Sequence, residues 1–421
     1  MSTAAQRRPR TSSQSPSWFA SVRAALDRPL TSYQLVLGVS GLLLALGLIM
    51  VLSASSVMSY KTYGSSYFIF TKQALWVCVG LPIAWLVARL PLRLIRWTAY
   101  PALILSMALI ALTYIPGLGV EVNGNQNWLA FGGPFTIQPS EIAKLALVLW
   151  VGDLYARKER LLDQPKHLLV PMLPVTLLVA LMVVGQHDLG TALVLFAIIL
   201  GLLWVAGAPL KLFGGALLSL ACVVSFFAAR DEVRVQRLTG FLDPFADIHD
   251  GGWQAAHGLM GLASGQFWGV GLGASRQKWG TLPEAHTDFI FAVIGEELGL
   301  FGTLGVLALF VLLAYAGLRI AQRTREPFAR YVAAGITVWL MSQALINLGM
   351  VLGVLPVIGI PLPLISYGGS ALLPTLVCLG LLVNFAKAEP GAKAALKASR
   401  ARRARLASKR KGPAGPKARR R

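Results

Sequence analysis

Asp288 is the residue whose surroundings best fit proton-transfer chemistry. It follows Thr287 at the predicted start of a long apolar helix. We predict that Thr287 caps this helix, and the positive end of the helix dipole would then favour an ionised carboxylate at Asp288. An ionised, exposed carboxylate can act as a general base, whereas a capping or pairing role would be purely structural. Glu296 is predicted to lie deeper on the same helix, where it would support the site.

Other polar side chains stand inside or beside apolar segments, where each is costly and points to a function. Glu141 and Lys144 are three residues apart, so they share a helix face and can neutralise each other. Asp188 lies in a short turn between two apolar segments, and Asn347 lies within a third. Each residue alone fits an internal hydrogen bond or ion pair better than a substrate contact. Their expected clustering on one side of the protein favours a common site.

The elements that must position these residues are transmembrane helices. Hydrophobic residues make up 55% of the 421 residues, charged residues only 14%, and the mean hydropathy is +0.63. Segments of about 20 apolar residues can cross the hydrocarbon core. The predicted spans are 34–55, 69–88, 94–116, 140–156, 168–186, 189–208, 210–229, 287–320, 331–354 and 363–386. The predicted fold class is therefore an all-α integral membrane protein, a bundle of about ten transmembrane helices.

The formal net charge of +21 reflects where Lys and Arg are placed. Basic residues crowd the N-terminal arm 1–33, the tail 387–421, and three short connections, 89–96, 157–166 and 319–330. With ten spans all of these lie on one side, which the positive-inside rule makes cytoplasmic. The tail is predicted to be disordered and to touch anionic membrane lipids. Nucleic acid is not an expected partner, because no aromatic residues interleave the basic run.

Two long connections, 116–139 and 230–286, are predicted on the outer side, the second between helices seven and eight. Long loops usually carry function. Residues 253–267 are amphipathic, so they either lie in the lipid head-group plane or pack on the bundle as a lid. The glycine-rich turn 269–273 that follows has no preceding strand, so it is not a nucleotide-binding fingerprint. Residues 361–370, PLPLISYGGS, break the start of the last span, which requires protein or a wet cavity around them.

Four sequence runs are similar to those of the SEDS family (shape, elongation, division and sporulation). They are NWLAFGGPFTIQPSEIAKL at 127–145, QHDLGTA at 186–192, LPEAHTDFIFAVIGEELG at 282–299 and NLGMVLGVLPVIGIPLPLISYGGS at 347–370. The resemblance covers residues 34–386, which would form the transmembrane domain. Residues 274–299, ASRQKWGTLPEAHTDFIFAVIGEELG, and the long basic tail most resemble the cell-division branch of high-GC Gram-positive bacteria.

The resemblance implies an inverting peptidoglycan glycosyltransferase that polymerises lipid II into glycan strands at the outer face of the cytoplasmic membrane during cell division. The implied partners are lipid II, glycan linked to undecaprenyl pyrophosphate, a class B penicillin-binding protein that acts as transpeptidase, and other divisome proteins. The implied location is the division septum. No organic cofactor is implied, whereas a divalent cation, Mg²⁺ or Mn²⁺, would fit the pyrophosphate chemistry.

In this family the acidic residue of the HTDFIF motif is essential, and here it is Asp288. The resemblance implies further substrate-site or supporting residues, namely Trp128, Gln138, Glu141, Lys144, Asp188, Arg234, Arg237, Lys278, Glu284 and Ser366. Arg234, Arg237 and Lys278 of this set, with Arg276, are candidates to stabilise the leaving pyrophosphate. The sequence departs from the family pattern at Asn127, usually Arg, at His187, usually Pro, and at Ala371, usually Ser.

Two other functions are compatible with the same features. A lipid II flippase or transporter would also have many spans, broken helices and intramembrane charges. We see no inverted repeat, however, and the charges gather at one face rather than at the midplane. A non-catalytic scaffold that recruits divisome enzymes is the third possibility, and it would tolerate the loss of Asp288.

Overall fold

The computed structural model describes residues 28–122, 125–130, 136–218, 243–246, 252–398 and 401. Most of them are helical. The helices are α1 Thr31–Tyr63, α2 Phe68–Val87, α3 Leu92–Leu112, α4 Pro139–Lys158, α5 Pro165–Leu169, α6 Met172–Gly185, α7 Leu189–Val205, α8 210–218, α9 Trp253–Ser264, α10 Ile290–Arg323, α11 Pro327–Val351 and α12 Gly369–Ala388. These helices agree with the predicted spans, although the seventh, 210–229, is described only up to residue 218.

Seven helical segments among the described residues are long and apolar enough to cross a membrane: α1, α2, α3, the α5–α6 pair, α10, α11 and α12. Large apolar side chains such as Leu42, Ile104 and Val311 are exposed on their outer surfaces, as expected where lipid is the solvent. Helix α4 is less apolar because it carries charged residues, and α7 has 17 residues. The predicted fold class, an all-α multi-pass membrane protein, is confirmed.

Helix α11 lies at the centre of the bundle. It packs against α4, α7 and α10, and its Trp339 and Phe328 side chains are fully buried. Helix α12 is similarly enclosed, between α2, α1 and α11. Because α11 covers the charged face of α4, the polar residues of α4 are shielded from lipid.

The basic connections meet at one end of the bundle. Asp153 of α4 forms ion pairs with Arg96 and Arg157, and Arg330 pairs with Glu159. These contacts join the connections 89–96, 157–166 and 319–330, which we call the basic end. The helix starts at Pro139, Leu189 and Ile290 and the helix end at Gly185 lie at the other end, which we call the opposite end.

The connection 116–139, expected to be a loop, contains a small antiparallel sheet. Strands β1 Gly119–Val122, β2 Asn125–Ala130 and β3 Thr136–Ile137 pair in that order, with Gly119 opposite Leu129 and Leu129 opposite Ile137. A Cβ at Gly119 would clash with the carbonyl oxygen of Thr113, so only glycine permits this approach to the end of α3. Its strands are only two to six residues long, which explains why sequence patterning did not reveal them.

The segment before α10 differs from the expectation for the eighth span, 287–320. Helix α10 begins at Ile290, so Thr287 and Asp288 lie in the preceding turn. Thr287 does not cap the helix, because its hydroxyl bonds to Glu284 instead. Helix α9 packs on α10 through Gly258, which faces Phe289. Asp288 is therefore placed by a folded turn beneath α9.

Candidate active site

The backbone on both sides of Asp288 is held by buried polar side chains from other elements. The Asn347 Nδ2 atom of α11 donates hydrogen bonds to the carbonyl oxygens of Asp288, at 2.7 Å, and Ile360, at 2.6 Å. The Ser366 hydroxyl donates to the carbonyl oxygen of Thr287 at 2.6 Å. These bonds tie the turn before α10 to the 358–370 segment. The position of Asp288 thus depends on residues far away in sequence.

The Asp288 carboxylate itself is partly exposed, and in the described part of the chain it accepts no hydrogen bond. It faces Gly359, where an added Cβ would lie 3.4 Å from Asp288 Oδ2. Burial raises the pKa of Asp288 to about 7, and the negative charge of Glu284 adds to this. The sequence predicts that the helix dipole favours the ionised form, and with a pKa of about 7 this group is present in both protonation states at neutral pH. Such a group is suited to accept a proton.

Glu284 shapes the turn that carries Asp288. Its φ of 53° is in the left-handed region, which a non-glycine residue adopts only when its surroundings enforce it. Its carbonyl oxygen accepts the N–H groups of Thr287 at 3.2 Å and Phe289 at 3.1 Å, and its carboxylate accepts the Thr287 hydroxyl at 2.6 Å. Burial lowers the pKa of neighbouring His286, and the charge of Glu284 partly opposes this effect.

Gln73 of α2 anchors the segment that contains Ser366. Its Nε2 atom donates to the Ser366 carbonyl oxygen, and its Oε1 atom accepts the N–H of Gly368, both at 3.3 Å. The Ser366 hydroxyl also accepts the N–H of Leu362 at 2.8 Å. The sequence analysis did not select Gln73, although a lone amide within an apolar span is a signal of this kind.

Asp188 is a structural centre in which the carboxylate is fully hydrogen-bonded. It accepts the side-chain amides of Asn127 at 2.8 Å and Gln138 at 2.9 Å. It also caps α7 by accepting the N–H and the hydroxyl of Thr191, both at 2.9 Å. The Asn127 side chain is bonded inward to Asp188. This cluster holds the small sheet, the start of α4 and the start of α7 together.

Glu141 and Lys144 form the predicted ion pair, buried between α4 and α11. The Lys144 Nζ atom lies 2.7 Å from Glu141 Oε1 and 3.3 Å from Gln343 Oε1. Gln343 also accepts the indole N–H of Trp339 at 2.9 Å and donates to the carbonyl oxygen of Pro361 at 3.0 Å. The pair is therefore part of a buried network beneath the 358–370 segment.

The 358–370 segment is the common neighbour of these clusters. Asn347 and Gln343 bond to its carbonyl oxygens, and the N–H of Gln138 donates to the Ser370 hydroxyl at 2.7 Å. Gly190, two residues after Asp188, packs against Ile358 and Ile360 of the same segment. The polar groups of this irregular backbone are thus hydrogen-bonded by buried protein groups, as a membrane environment requires.

Lys278 and Glu296 belong to a separate cluster under the 269–278 turn. Lys278 is buried, with its ammonium 3.4 Å from Glu297 Oε1, so it does not face the outer surface. Glu296 accepts the Ser275 hydroxyl at 2.5 Å and the N–H of Arg276 at 2.9 Å, which agrees with its expected supporting role. The Arg276 side chain is exposed above this cluster.

Three of the candidate residues remain to be placed. Trp128 is half-buried in β2, opposite Val120. Arg234 and Arg237 lie outside the described residues. Within the described ranges, no group of three or more His, Cys, Asp or Glu side chains is arranged to hold a metal ion.

Comparison with known sequences identifies the family. The family model for FtsW, RodA and SpoVE, described as cell cycle protein, matches residues 33–390. The probable peptidoglycan glycosyltransferase FtsW of Mycobacterium tuberculosis is 42% identical over 377 residues, which cover 90% of this chain and 72% of that protein. The probable peptidoglycan glycosyltransferase FtsW of Nitrosococcus halophilus is 40% identical, with 83% of this chain and 90% of that protein covered.

Solved structures share the fold. A chain from the structure described as "Structural coordination of polymerization and crosslinking by a peptidoglycan synthase complex" superposes with a TM-score of 0.68 and 28% identity, covering 84% of this chain and 96% of that one. The rod shape determining protein RodA of Thermus thermophilus superposes with a TM-score of 0.61 and 27% identity, with the same coverage. The chain is thus a member of the FtsW/RodA/SpoVE family, the SEDS proteins, and is of the FtsW type.

Proposed function

We propose that this chain is a peptidoglycan glycosyltransferase that polymerises lipid II at the outer face of the cytoplasmic membrane. The curated relatives carry the name of this activity. The observation that carries the mechanism is the Asp288 carboxylate, which lies at the opposite end from the basic loops, is partly exposed and accepts no hydrogen bond within the described residues. Its pKa of about 7 suits a group that must gain and lose a proton at neutral pH.

The reaction is a single displacement. The acceptor sugar hydroxyl attacks the anomeric carbon of the donor glycan while the bond from that carbon to undecaprenyl pyrophosphate breaks. The α-linked donor becomes a β-linked product, so one inversion is sufficient. Asp288 takes the hydroxyl proton as the new bond forms, and a well-placed general base contributes about 10²–10⁴-fold in rate. Glu284 supports this role by raising the pKa of Asp288.

The leaving pyrophosphate requires positive charge. Arg276 is exposed near the glycine-rich turn and can reach a substrate, and Arg234 and Arg237 are the further candidates from the same connection. Mg²⁺ is commonly held through one or two carboxylates together with substrate phosphates. A divalent cation would therefore bind jointly with the pyrophosphate and supply the same electrostatic stabilisation.

The location and partners form part of the same proposal. The basic end is cytoplasmic by the positive-inside rule, which places Asp288 on the outer face. Glycan strands must be crosslinked, and this chain has no SxxK motif supported by an SDN or KTG motif. We therefore place it at the division septum with a class B penicillin-binding protein, consistent with its structural similarity to a chain of a peptidoglycan synthase complex. Co-purification from native membranes tests this pairing.

The decisive experiment measures glycan polymer from purified protein, lipid II and the transpeptidase partner. Asp288→Asn should abolish polymer, because Asn retains the size of Asp but cannot accept a proton at neutral pH. Thermal stability and lipid II binding should remain close to those of the parent. Asp163→Asn, the same change on an exposed carboxylate at the basic end, is the matched control and should leave polymer yield unchanged.

Near-normal polymer from Asp288→Asn would contradict the general-base assignment. Head-group translocation without polymer from the parent protein would instead support the flippase. Absence of both activities, with unimpaired recruitment of the transpeptidase by the Asp288→Asn protein, would support the scaffold.

A further inference from the structure

A large cavity opens at the basic end, away from the candidate active site. It has a volume of about 1130 Å³, above the roughly 300–1,000 Å³ of ordinary small-molecule pockets. Its walls are the first turns of α1, the last turns of α2 and the last turns of α12, and residues 392–398 lie over its rim. Three transmembrane helices therefore diverge at the depth of one lipid leaflet.

The interior of this cavity is apolar, and hydrogen bonds join two of its walls. Leucine and valine side chains from all three helices line it, among them Leu44, Leu81 and Leu379. The Asn384 Nδ2 atom of α12 donates to the carbonyl oxygens of Val87, at 2.9 Å, and Leu90, at 2.8 Å, and so fixes the end of α2 against α12. The cavity is thus suited to hydrocarbon chains.

The mouth of the cavity is positively charged. Among the described residues that line it, four are basic, Arg89, Lys387, Lys393 and Lys397, and none is acidic. Glu389, the acid nearest in sequence to these lysines, does not line the cavity. An apolar interior below a cluster of basic side chains matches one ligand chemistry, namely acyl chains attached to an anionic head group.

Two of these basic side chains are held at the mouth by contacts within the protein. The Arg89 guanidinium stacks 3.6 Å above the centre of the Trp85 ring, and the Lys387 Nζ atom donates to the carbonyl oxygen of Ala88 at 2.9 Å. Lys393 and Lys397 are four residues apart on the helical segment 392–398, so their exposed side chains share one face. A phosphate at the mouth would meet charges from two separate segments of the chain.

We propose that this cavity is a binding site for one anionic glycerophospholipid of the membrane leaflet at the basic end. The acyl chains lie between α1, α2 and α12, and the phosphate lies among Arg89, Lys387, Lys393 and Lys397. Basic pockets between transmembrane helices recognise anionic lipid head groups in this manner. The site is independent of the glycosyltransferase proposal, because it lies at the end of the bundle away from Asp288.

The test uses the full-length protein, delipidated in detergent and titrated with phosphatidylglycerol or phosphatidylcholine of identical acyl chains, with retained lipid counted by native mass spectrometry. Lys393→Gln combined with Lys397→Gln should weaken phosphatidylglycerol binding about thirtyfold at low salt, since each basic side chain contributes about 1 kcal/mol to anionic lipid binding. Phosphatidylcholine binding should not change. Arg160→Gln with Lys166→Gln removes two exposed charges elsewhere at the basic end and should have no effect on either lipid.

A second pair of variants tests the apolar part of the site. Gly41 lines the cavity and Gly38 does not, and an added Cβ meets no atom within 4 Å at either position. Gly41→Leu should therefore occupy the acyl-chain space and reduce retention of both lipids, whereas Gly38→Leu should reduce neither. Both changes replace glycine by leucine in the same helix, so their effects on helix stability should match.

Equal phosphatidylglycerol affinity of the Lys393/Lys397 and Arg160/Lys166 double variants would overturn the proposal, because the attraction would then be general surface electrostatics. Equal lipid retention by the Gly41 and Gly38 variants would also overturn it, because the cavity would then not hold the acyl chains.

Discussion

Asp188 and Asp288 are carboxylates beside helix starts at the same end of the bundle, yet their hydrogen bonding differs. Asp188 accepts four hydrogen bonds from Asn127, Gln138 and Thr191. Asp288 accepts none within the described residues, and burial together with Glu284 raises its pKa to about 7. A carboxylate whose lone pairs are occupied is suited to hold structure, whereas one with free lone pairs can accept a proton from a substrate.

The pH dependence of polymerisation should report the Asp288 pKa. A base must be deprotonated to act, so kcat/KM should fall about tenfold per pH unit below about pH 7 and level off above it. Glu284→Gln removes a negative charge that raises this pKa, so the acid limb should move to lower pH. Burial, the larger cause, remains, so the midpoint should stay above the ordinary Asp value of 3.8.

Initial rates with lipid II across a pH series, measured for the parent and for Glu284→Gln, check this prediction. Gln can still accept the Thr287 hydroxyl, so the turn should persist. An unshifted acid limb, or one that moves to higher pH, would contradict the coupling between Glu284 and Asp288.

Replacing Asp188 should act mainly on stability. Asp188→Ala leaves the buried amides of Asn127 and Gln138 and the end of α7 without their acceptor, and each unsatisfied buried group costs about 1–3 kcal/mol. The free energy of unfolding should fall by about 3 kcal/mol or more. Thermal unfolding in detergent measures the loss, with Asp163→Ala as the exposed control. A melting temperature equal to that of the control would exclude the structural role.

At the scale of elements, α10 is interrupted where the outer loop packs on it. Gly299 has φ 67° and ψ −163°, outside the helical region, although helix continues on both sides. A Cβ there would clash with the backbone of Gly269 and Phe267. In the same place the N–H of Val270 donates to the Glu296 carbonyl oxygen at 2.9 Å. The break in α10 therefore creates the docking position for the glycine-rich turn.

Gly299→Ala should destabilise the protein strongly. The left-handed backbone costs a non-glycine residue about 1–3 kcal/mol, and the clash with Gly269 adds to this cost. Gly305→Ala on the same helix is the control, because an added Cβ meets no atom within 4 Å, and it should stabilise by up to about 1 kcal/mol. Melting temperature and protease sensitivity of residues 265–287 measure both effects. Equal melting temperatures and equal protease sensitivity of the Gly299→Ala and Gly305→Ala proteins would contradict this account of the break in α10.

At the scale of the whole molecule, the basic connections and the candidate active site lie at opposite ends of the bundle. The basic end holds ion pairs such as Arg96 with Asp153 and Arg330 with Glu159. The opposite end holds the clusters around Asp188 and Asp288. In the proposed orientation, with the basic end in the cytoplasm, a lipid-linked substrate in the outer leaflet can reach the second end without crossing the membrane.

Cysteine labelling in intact cells should confirm this orientation. In a background without Cys78, Cys222 and Cys378, Thr281→Cys should react with a membrane-impermeant maleimide, because residue 281 is exposed at the Asp288 end. Arg160→Cys at the basic end should react only after the membrane is permeabilised. The reverse labelling pattern would place the candidate site in the cytoplasm and exclude a glycosyltransferase acting outside the membrane.

Local signals were sufficient for most of the helices. Apolar length predicted the spans, basic residues predicted one common end, and the motif around Asp288 pointed to the residue on which the site depends. The helix start at 287 was wrong, because the Thr287 hydroxyl donates to the carbonyl and carboxylate oxygens of Glu284 instead of accepting an N–H of the helix, and sequence patterning does not reveal this contact. The sheet within 116–139 was missed because its strands are too short to show a period.

The sequence by itself determined that the chain is a membrane protein, the approximate spans and the identity of the candidate base. The length of an apolar segment and the residues of a motif are local properties of the chain. Only the tertiary structure decided which polar residues meet. Asn347 of α11 and Gln73 of α2 bond to the 358–370 segment, and Asn347 and Ser366 bond to the carbonyl oxygens of Asp288 and Thr287. Lys278 is bonded to Glu297 inside the protein rather than exposed to substrate. These outcomes depend on long-range packing, in which each buried polar group must find a partner, and no local pattern in the chain specifies which partner that is.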